Sequence, residues 1–126
     1  MKTIYTKNAP EPLGHYSQAI IHNNTIYLAT QIPIDPKGNS NEITTIDQQT
    51  KQLLTNIENI LLAGNSDLNH IIRITIYITD MNLWDEVNTI YKDFLKDHKP
   101  ARGIIHVKSI HKGFQVAMDV VAAVKQ

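Results

Sequence analysis

The segment from Gln115 to Val124 limits the folds open to this chain more than any other feature, because both of its faces are apolar. Successive side chains of a β-strand point to opposite faces of a sheet. One face would carry Val116, Met118, Val120, Ala122 and Val124. The other would carry Ala117, Val121 and Ala123 around one charge, Asp119. A chain of 126 residues can cover one such face with its own helices, but the second needs a partner, so we expect a homo-oligomer.

The rest of the pattern predicts eight elements in the order β-β-β-α-β-α-β-β. The strands are expected at residues 3–6, 17–22, 25–32, 71–79, 103–107 and 115–124. No repeat or linker-like segment interrupts them, so residues 1–126 are expected to form a single domain. Because each helix has one apolar stripe and the strands alternate, the simplest packing is a two-layer α+β sandwich.

Local signals mark the ends of both helices. Thr45 and Gln48 match a capping box at the start of the first helix, and Gly64 stands where a left-handed cap would end it. Asn82 is expected to cap the second helix and Pro100 to end it.

Alternation and helical spacing predict which side chains are buried. In the strand at residues 71–79, Ile72, Ile74, Ile76 and Ile78 should share one face, opposite Arg73, Thr75 and Tyr77. In the second helix, Trp84, Phe94 and Leu95 are expected in the core, with Val87 and Tyr91 on the same stripe.

Composition excludes several classes of function. The 12 Lys and Arg residues balance 12 Asp and Glu residues, which argues against a dedicated nucleic-acid surface. There are no cysteines, and the six histidines lack the spacing of a metal site, so no metal is expected. No apolar run is long enough to span a membrane, and the N-terminal residues do not resemble a signal peptide, so we expect a soluble, cytoplasmic protein.

Arg102 and Asp119 are the charged residues that most need explanation. The short connection "KSIHKG" predicts that the last two strands pair antiparallel, which would bring Arg102 and Asp119 to the same end of the sheet. They could also face each other from different chains. The residue types fit either an ordinary ion pair or an anion site, in which Arg102 grips a carboxylate and Asp119 handles a proton.

Four segments of the chain form a longer pattern. They are "NAP…LGHYSQAI" at residues 8–20, "TQIPID" at 30–35, "ITIYITDMNLWDEVNTIY" at 74–91 and "PARGIIHVKSI…VAMDVVA" at 100–122. Together and in this order they resemble the reactive intermediate deaminase family (Rid, RidA or YjgF-type), formerly grouped as L-PSP endoribonucleases. The resemblance covers nearly the whole chain.

The resemblance implies a chorismate-mutase-like α+β fold, with a mixed sheet and two helices on one face, assembled as a homotrimer with sites between subunits. It implies hydrolysis of reactive 2-imino and enamine acids, of the 2-aminoacrylate type, to 2-keto acids and ammonia without a cofactor.

The site residues are also implied by the resemblance. Arg102 would bind the substrate carboxylate, and the backbone carbonyl of Ile104 would orient the nitrogen or the attacking water. Asp119 takes the place of the family's usual glutamate, which activates that water. Tyr16 and Thr30 would line the cleft, and Asn88 on the second helix is a further candidate.

Several residues depart from the family pattern. Asp119 is one methylene shorter than glutamate, and Thr30 stands where many members have glycine. Gly103 replaces a small side chain after the arginine, and His15 replaces a common proline. Two alternatives to the deaminase therefore stay open. One is a non-catalytic trimer that binds a metabolite carboxylate and regulates another protein. The other is an endoribonuclease, against which the neutral charge argues.

Overall fold

The computed structural model describes residues 1–126 and contains six strands and two α-helices in the predicted order. The strands are β1 (Lys2–Ile4), β2 (Ala19–His22), β3 (Thr25–Leu28), β4 (Ile71–Ile78), β5 (Ala101–His106) and β6 (Val116–Ala123). The helices are α1 (Ile46–Ala63) and α2 (Trp84–Leu95). The fold is therefore α+β, as the sequence predicts.

The six strands form one mixed sheet in the order β1-β2-β3-β6-β4-β5. All neighbouring pairs are antiparallel except β4 and β5, which are parallel and connected through α2. Strand β6 therefore lies in the middle of the sheet, and β5 forms one edge. A parallel pair needs a long crossover, and α2 supplies it.

The predicted pairing between the last two strands is wrong, because β4 lies between β5 and β6. The short connection between them passes over the end of β4 instead of forming a hairpin. In the register of the sheet, Arg102 lies beside Ile74, whereas Asp119 lies beside Thr75. Because Ile74 and Thr75 point to opposite faces, Arg102 and Asp119 also lie on opposite faces of the sheet.

Both helices pack on one face of the sheet and enclose one cluster of 23 buried hydrophobic residues. From α1 the fully buried side chains are Leu53, Leu54, Ile57, Ile60 and Leu61, and from β6 they include Val116, Met118 and Ala122. Each such aliphatic side chain larger than alanine contributes about 1.5–3 kcal/mol on burial. The apolar stripe of α1 and the inner face of β6 thus agree with the sequence analysis.

The other face of the sheet, away from the helices, is uncovered. This open face carries Tyr27, Tyr77, Ile105, Asp119 and Val121, as the strand registers show. Tyr27 and Ile105 are 48% and 47% exposed. The expected second apolar face of β6 is therefore present.

The start of α1 follows the prediction, and its end does not. The Thr45 side chain accepts a hydrogen bond from the Gln48 amide, and the Gln48 side chain accepts from the Thr45 amide, so the capping box is confirmed. Gly64 has φ −98°, so the predicted left-handed cap at this residue is wrong. Asn65 adopts the positive φ of 58° instead.

The ends of α2 also differ from the prediction. A short 3-10 turn precedes the helix, and the Asp80 carboxylate accepts from the Asn82 amide at 2.9 Å, so Asp80 caps the turn and Asn82 does not. The helix ends at Leu95, where Lys96 takes φ 53°. Pro100 lies beyond this point and does not end the helix.

Two further differences come from irregular strand pairing. A β-bulge between Ile71 and Arg73 leaves Ile72 50% exposed and buries Ile71 in its place, beside the predicted Ile74, Ile76 and Ile78. Strand β3 ends at Leu28, and Gln31 resumes pairing with Met118 after a two-residue interruption.

Of the three α2 residues expected in the core, Leu95 is confirmed, since it is 2% exposed. Trp84 and Phe94 are only partly buried and pack against the core from its edge. No helix combines the length and the apolar composition needed to cross a bilayer.

We predict that Gly64→Ala destabilises the protein by about 1–2 kcal/mol, because overpacking a buried site costs free energy of this order. An added Cβ would lie 2.5 Å from Ile4 Cδ1 and 3.0 Å from Ile26 Cδ1, both of which are buried. Urea unfolding measures the change. Gly14→Ala is the control, since its Cβ would meet Tyr16 at an ordinary 3.6 Å. Equal stability of the two variants would contradict the prediction.

Candidate functional site

Arg102 is held in place by α2. Its Cζ lies 4.8 Å from the centre of the Trp84 ring and 5.0 Å from that of Tyr91. Its Nη1 donates a hydrogen bond to Asn88 Oδ1 at 3.0 Å. Trp84, Asn88 and Tyr91 follow one another at spacings of four and three residues, so they form one stripe along the helix. Two aromatic rings and one amide oxygen therefore orient the guanidinium.

The Arg102 guanidinium has no acidic partner in its own chain. Neither of the two ion pairs in the structure includes it, and both involve Asp67. A guanidinium carries five N–H donors, of which Asn88 engages one. The side chain is exposed to solvent, so the remaining donors are accessible to a ligand. This geometry suits bidentate binding of a carboxylate.

Tyr91 beside Arg102 is 6% exposed, and its hydroxyl has no hydrogen-bond partner. Burial raises the pKa of the Tyr91 phenol, and the nearby positive charge of Arg102 partly opposes this change. The phenol is therefore a neutral donor at physiological pH. A buried hydroxyl without a partner costs about 1–3 kcal/mol, which an acceptor atom of a ligand would offset.

Asp119 belongs to a second cluster, on the open face. Its Oδ2 accepts hydrogen bonds from the Tyr77 hydroxyl at 2.8 Å and from Thr30 Oγ1 at 3.3 Å. The hydrogen bond to the Asp119 carboxylate, with smaller contributions from burial and charge, raises the pKa of Tyr77. Thr30 reaches Asp119 because β3 is interrupted between Leu28 and Gln31.

Tyr16 lies near Thr30, at the end of an irregular N-terminal loop. Both residues line a groove of about 420 Å³ together with Leu13 and Ile32. The Tyr16 hydroxyl accepts from the Leu13 amide at 3.1 Å. Buried Gln18 anchors the same loop, since its amide bonds the backbone of Thr6 and Pro10 at 2.7–3.0 Å.

Ile104 and Gly103 occupy opposite faces of the edge strand β5. Ile104 is half-buried and shares the face of Arg102, two residues before it. Gly103 points to the open face, where a Cβ would lie 3.0 Å from Arg73 Nη2. The absence of a side chain at this position thus leaves room for the Arg73 guanidinium.

The structure therefore divides the predicted site residues into two groups. Arg102, Asn88 and the Ile104 side chain lie on the helix-covered side at the edge of the sheet, whereas the Ile104 carbonyl lies in the plane of the sheet. Asp119 and Thr30 lie on the open face, with Tyr16 beside Thr30. The expectation that Arg102 and Asp119 approach each other within one chain is wrong, because they lie on opposite faces with β4 between their strands.

Three residues at these clusters were not among the predicted site residues. Trp84 and Tyr91 were assigned to the core stripe of α2, although their spacing around Asn88 indicates a shared face with a polar residue. Tyr77 was correctly placed opposite the buried isoleucines of β4, but nothing in the sequence indicates that it bonds Asp119. No group of three or more His, Asp or Glu side chains lies close enough together to hold a metal ion.

Comparison with known proteins identifies relatives over nearly the whole chain. The family model described as Endoribonuclease L-PSP matches residues 6–124. A RutC family protein of Pyrococcus horikoshii is 40% identical over 96% of each chain. The human 2-iminobutanoate/2-iminopropanoate deaminase is 34% identical over 96% of this chain and 88% of its own.

Among solved structures, the Rid-family protein YyfA of Yersinia pestis has a TM-score of 0.91 and 40% identity over 98% of both chains. Its fold and those of the other structural neighbours agree with the mixed sheet and two helices described above. The chain belongs to the Rid (YjgF/RidA) family.

Proposed function

We propose that this protein is a hydrolytic deaminase that converts reactive 2-imino and enamine acids of the 2-aminoacrylate type to 2-keto acids and ammonia. The observation that carries the proposal is the Arg102 guanidinium, which two rings and Asn88 orient while no carboxylate of the chain neutralises it. Relatives at 34% identity named as imine deaminases support the same class of reaction.

Hydrolysis of an imine requires few catalytic groups, because the imine carbon is already electrophilic. An enamine acid first becomes the imine by gaining a proton at its β-carbon and losing one from nitrogen. Arg102 binds the carboxylate and so fixes the neighbouring imine carbon. The oxygen of a water molecule forms a bond to that carbon, and the nitrogen gains a proton. The hydroxyl proton of the resulting carbinolamine then passes to the amine, the C–N bond breaks, and ammonia leaves as the ketone forms. The protein therefore has to position the water and assist two proton transfers to nitrogen, one in each step.

The proposed water-positioning groups are the Ile104 carbonyl and the Asp119 carboxylate. Asp119 is the only acidic residue of β6, and its Oδ1 is free of the hydrogen bonds that Tyr77 and Thr30 make to Oδ2. Since Arg102 and Asp119 lie on opposite faces within one chain, Asp119 can act on a substrate bound at Arg102 only if it comes from a neighbouring copy.

This requirement supports a homotrimer with sites between subunits. The open face exposes Tyr27 and Ile105, which a second copy would cover. The hydrogen-bonded Asp119 and Thr30 lie on the same face and would therefore adjoin that copy. An uncovered apolar sheet face is typical of an oligomer interface. The cytoplasmic location stays a prediction of the sequence.

A second function, a metabolite sensor without catalysis, is favoured by one observation. The Asp119 carboxylate already accepts from Tyr77 and Thr30, and these bonds restrict its movement toward a water molecule. In that case Arg102 would bind a 2-keto acid, and the bound trimer would regulate another protein.

We predict that Arg102→Ala reduces kcat/KM for imine hydrolysis by about thirtyfold or more, since losing a charge-assisted bidentate contact costs about 2–5 kcal/mol. Arg102→Lys should recover only part of the activity, because a lysine cannot form the bidentate fork. The imine is generated from serine by a dehydratase, and its survival is measured by semicarbazide trapping.

Lys51→Ala, an exposed change on α1, is the control for this experiment. Thermal unfolding of each variant separates loss of activity from loss of fold. If the wild-type protein does not accelerate imine decay but binds 2-ketobutyrate in calorimetry, the deaminase proposal is wrong and the metabolite-sensor function is supported.

We predict a particle of three times the 14.3 kDa chain mass in size-exclusion chromatography with light scattering. Ile105→Asp should dissociate it, because a carboxylate buried in an apolar interface is not tolerated without a partner. Leu62→Asp is the matched control, since Leu62 is 54% exposed on α1, away from the open face. A wild-type monomer would exclude the intersubunit site.

We predict that Asp119→Asn lowers the pKa of Tyr77 toward its ordinary value, because the mutation removes the charged acceptor that raises it. A phenol whose folded pKa is raised contributes stability that is complete below the unfolded pKa of about 10. This contribution is lost as the pH rises through the folded pKa. Difference absorbance of tyrosinate against Tyr77→Phe measures the titration.

Asp47→Asn on α1 is the control that should leave the tyrosine titration unchanged. The same curve in Asp119→Asn and wild type would show that the hydrogen bond between Tyr77 and Asp119 does not persist in solution.

A further inference from the structure

A cavity of about 460 Å³ lies beside Arg102, between the C-terminal half of α2 and the segment that leads into β5. Its lining is basic. Lys92, Lys96, Lys99 and Arg102 all contribute to its wall, and none of its nine lining residues is acidic. We call the three lysines the basic lobe.

The charges of the basic lobe are not neutralised within the chain. No carboxylate lies within 4 Å of Lys92, Lys96 or Lys99, since both ion pairs in the structure involve Asp67. Asp93 and Asp97 are close in sequence but do not line the cavity. Net neutrality of the chain therefore hides a local excess of positive charge next to Arg102.

A role in stabilising the helix explains only part of this excess. Lys92 and Lys96 lie at the C-terminus of α2, where positive charge interacts favourably with the helix dipole. Lys96 Nζ also donates to the backbone oxygen of Asp93 at 3.4 Å. Lys99 and Arg102 lie beyond the helix, so the dipole does not account for four cations around one cavity.

A second observation points to a ligand in the same cavity. Tyr91 lines it, is 94% buried by the exposure given above, and has a hydroxyl without a hydrogen-bond partner. The Tyr91 hydroxyl is itself shielded from solvent, so an acceptor oxygen bound among the lysines would satisfy this donor after a small turn of the side chain toward the cavity. His98 completes the wall, and its Nε2 already bonds the Ile71 carbonyl at 2.8 Å, which leaves Nδ1 free.

We propose that Tyr91 and the basic lobe form a subsite for a second acidic group, so that the preferred substrate is a dianionic 2-imino acid with a distal carboxylate. The proposal rests on the proposed function for the identity of the reacting group. Arg102 takes the carboxylate next to the imine, and Tyr91, Lys92, Lys96 and Lys99 take the distal one. The cavity has the size of a small-metabolite site.

The test compares the binding of two keto acids by calorimetry. 2-Oxoglutarate carries the second carboxylate and 2-oxobutyrate does not. We expect the dianion to bind wild type about tenfold more tightly, because two to three exposed ion pairs each contribute up to about fivefold. The preference should weaken with added salt.

The variants separate the subsite from Arg102. Lys92→Ala/Lys96→Ala and Lys99→Ala should each reduce the preference to about threefold or less and leave the affinity for 2-oxobutyrate unchanged. Tyr91→Phe keeps the ring beside Arg102 and removes only the hydroxyl, so it should weaken binding of the dianion more than binding of 2-oxobutyrate. Lys51→Ala/Lys112→Ala, two exposed lysines outside the cavity, is the matched control that keeps the preference.

Each result bears on the subsite. Equal affinity for the two keto acids, no binding of either, or binding of a single-stranded RNA in their place would overturn it. Hydrolysis of monoanionic imines without preference for dianionic ones would leave the proposed function standing and the subsite refuted. A lysine-dependent preference for 2-oxoglutarate without hydrolysis of any imine would support the subsite and refute the proposed function.

Discussion

The pairing of β6 with both β3 and β4 is the constraint on which the rest of the structure depends. It puts the most apolar strand in the middle of the sheet, where Val116, Met118 and Val120 lie under the helices. It also moves β5 to the edge, since β4 has only one side left to pair. Every later feature of the candidate site follows from these two positions.

The edge position of β5 makes Arg102 available. A cation in a central strand would be buried and would need a carboxylate of its own chain. At the edge, the Arg102 guanidinium packs against the Trp84 and Tyr91 rings and stays accessible to solvent. Each cation–π contact is worth about 0.5–1 kcal/mol at an exposed site. These contacts orient the guanidinium without neutralising its charge, as our proposal that it binds a carboxylate requires.

The central position of β6 separates the Asp119 carboxylate from the Arg102 guanidinium. Asp119 points to the open face, where Tyr77 and Thr30 hold it, and the basic lobe lies with Arg102 on the other side. One chain therefore carries two separate clusters, on opposite faces of its sheet, that cannot meet. In our proposal the oligomer joins them, and the uncovered apolar face that drives association also delivers the carboxylate.

The sequence by itself determined the features that depend on neighbouring residues. The Thr45–Gln48 capping box, the order of the elements, the buried stripe of α1 and the two apolar faces of β6 are all set by local spacing. The residue types left Arg102 open as a member of an ion pair or of an anion site, and the resemblance predicted that it binds the substrate carboxylate. Local rules failed at Gly64, Ile72 and Pro100, because close packing, a bulge and an early helix end override residue preferences there.

Only the tertiary structure decided which strands are neighbours and therefore which side chains meet. A short connection between β5 and β6 favours a hairpin, but the crossover through α2 places β5 on the far side of β4. The stacking of Arg102 on Trp84 and Tyr91, the hydrogen bond from Tyr77 to Asp119 and the basic cavity all depend on that choice. Strand pairing joins residues far apart in the chain, and its free energy comes from burying whole faces together, which no short stretch of sequence encodes.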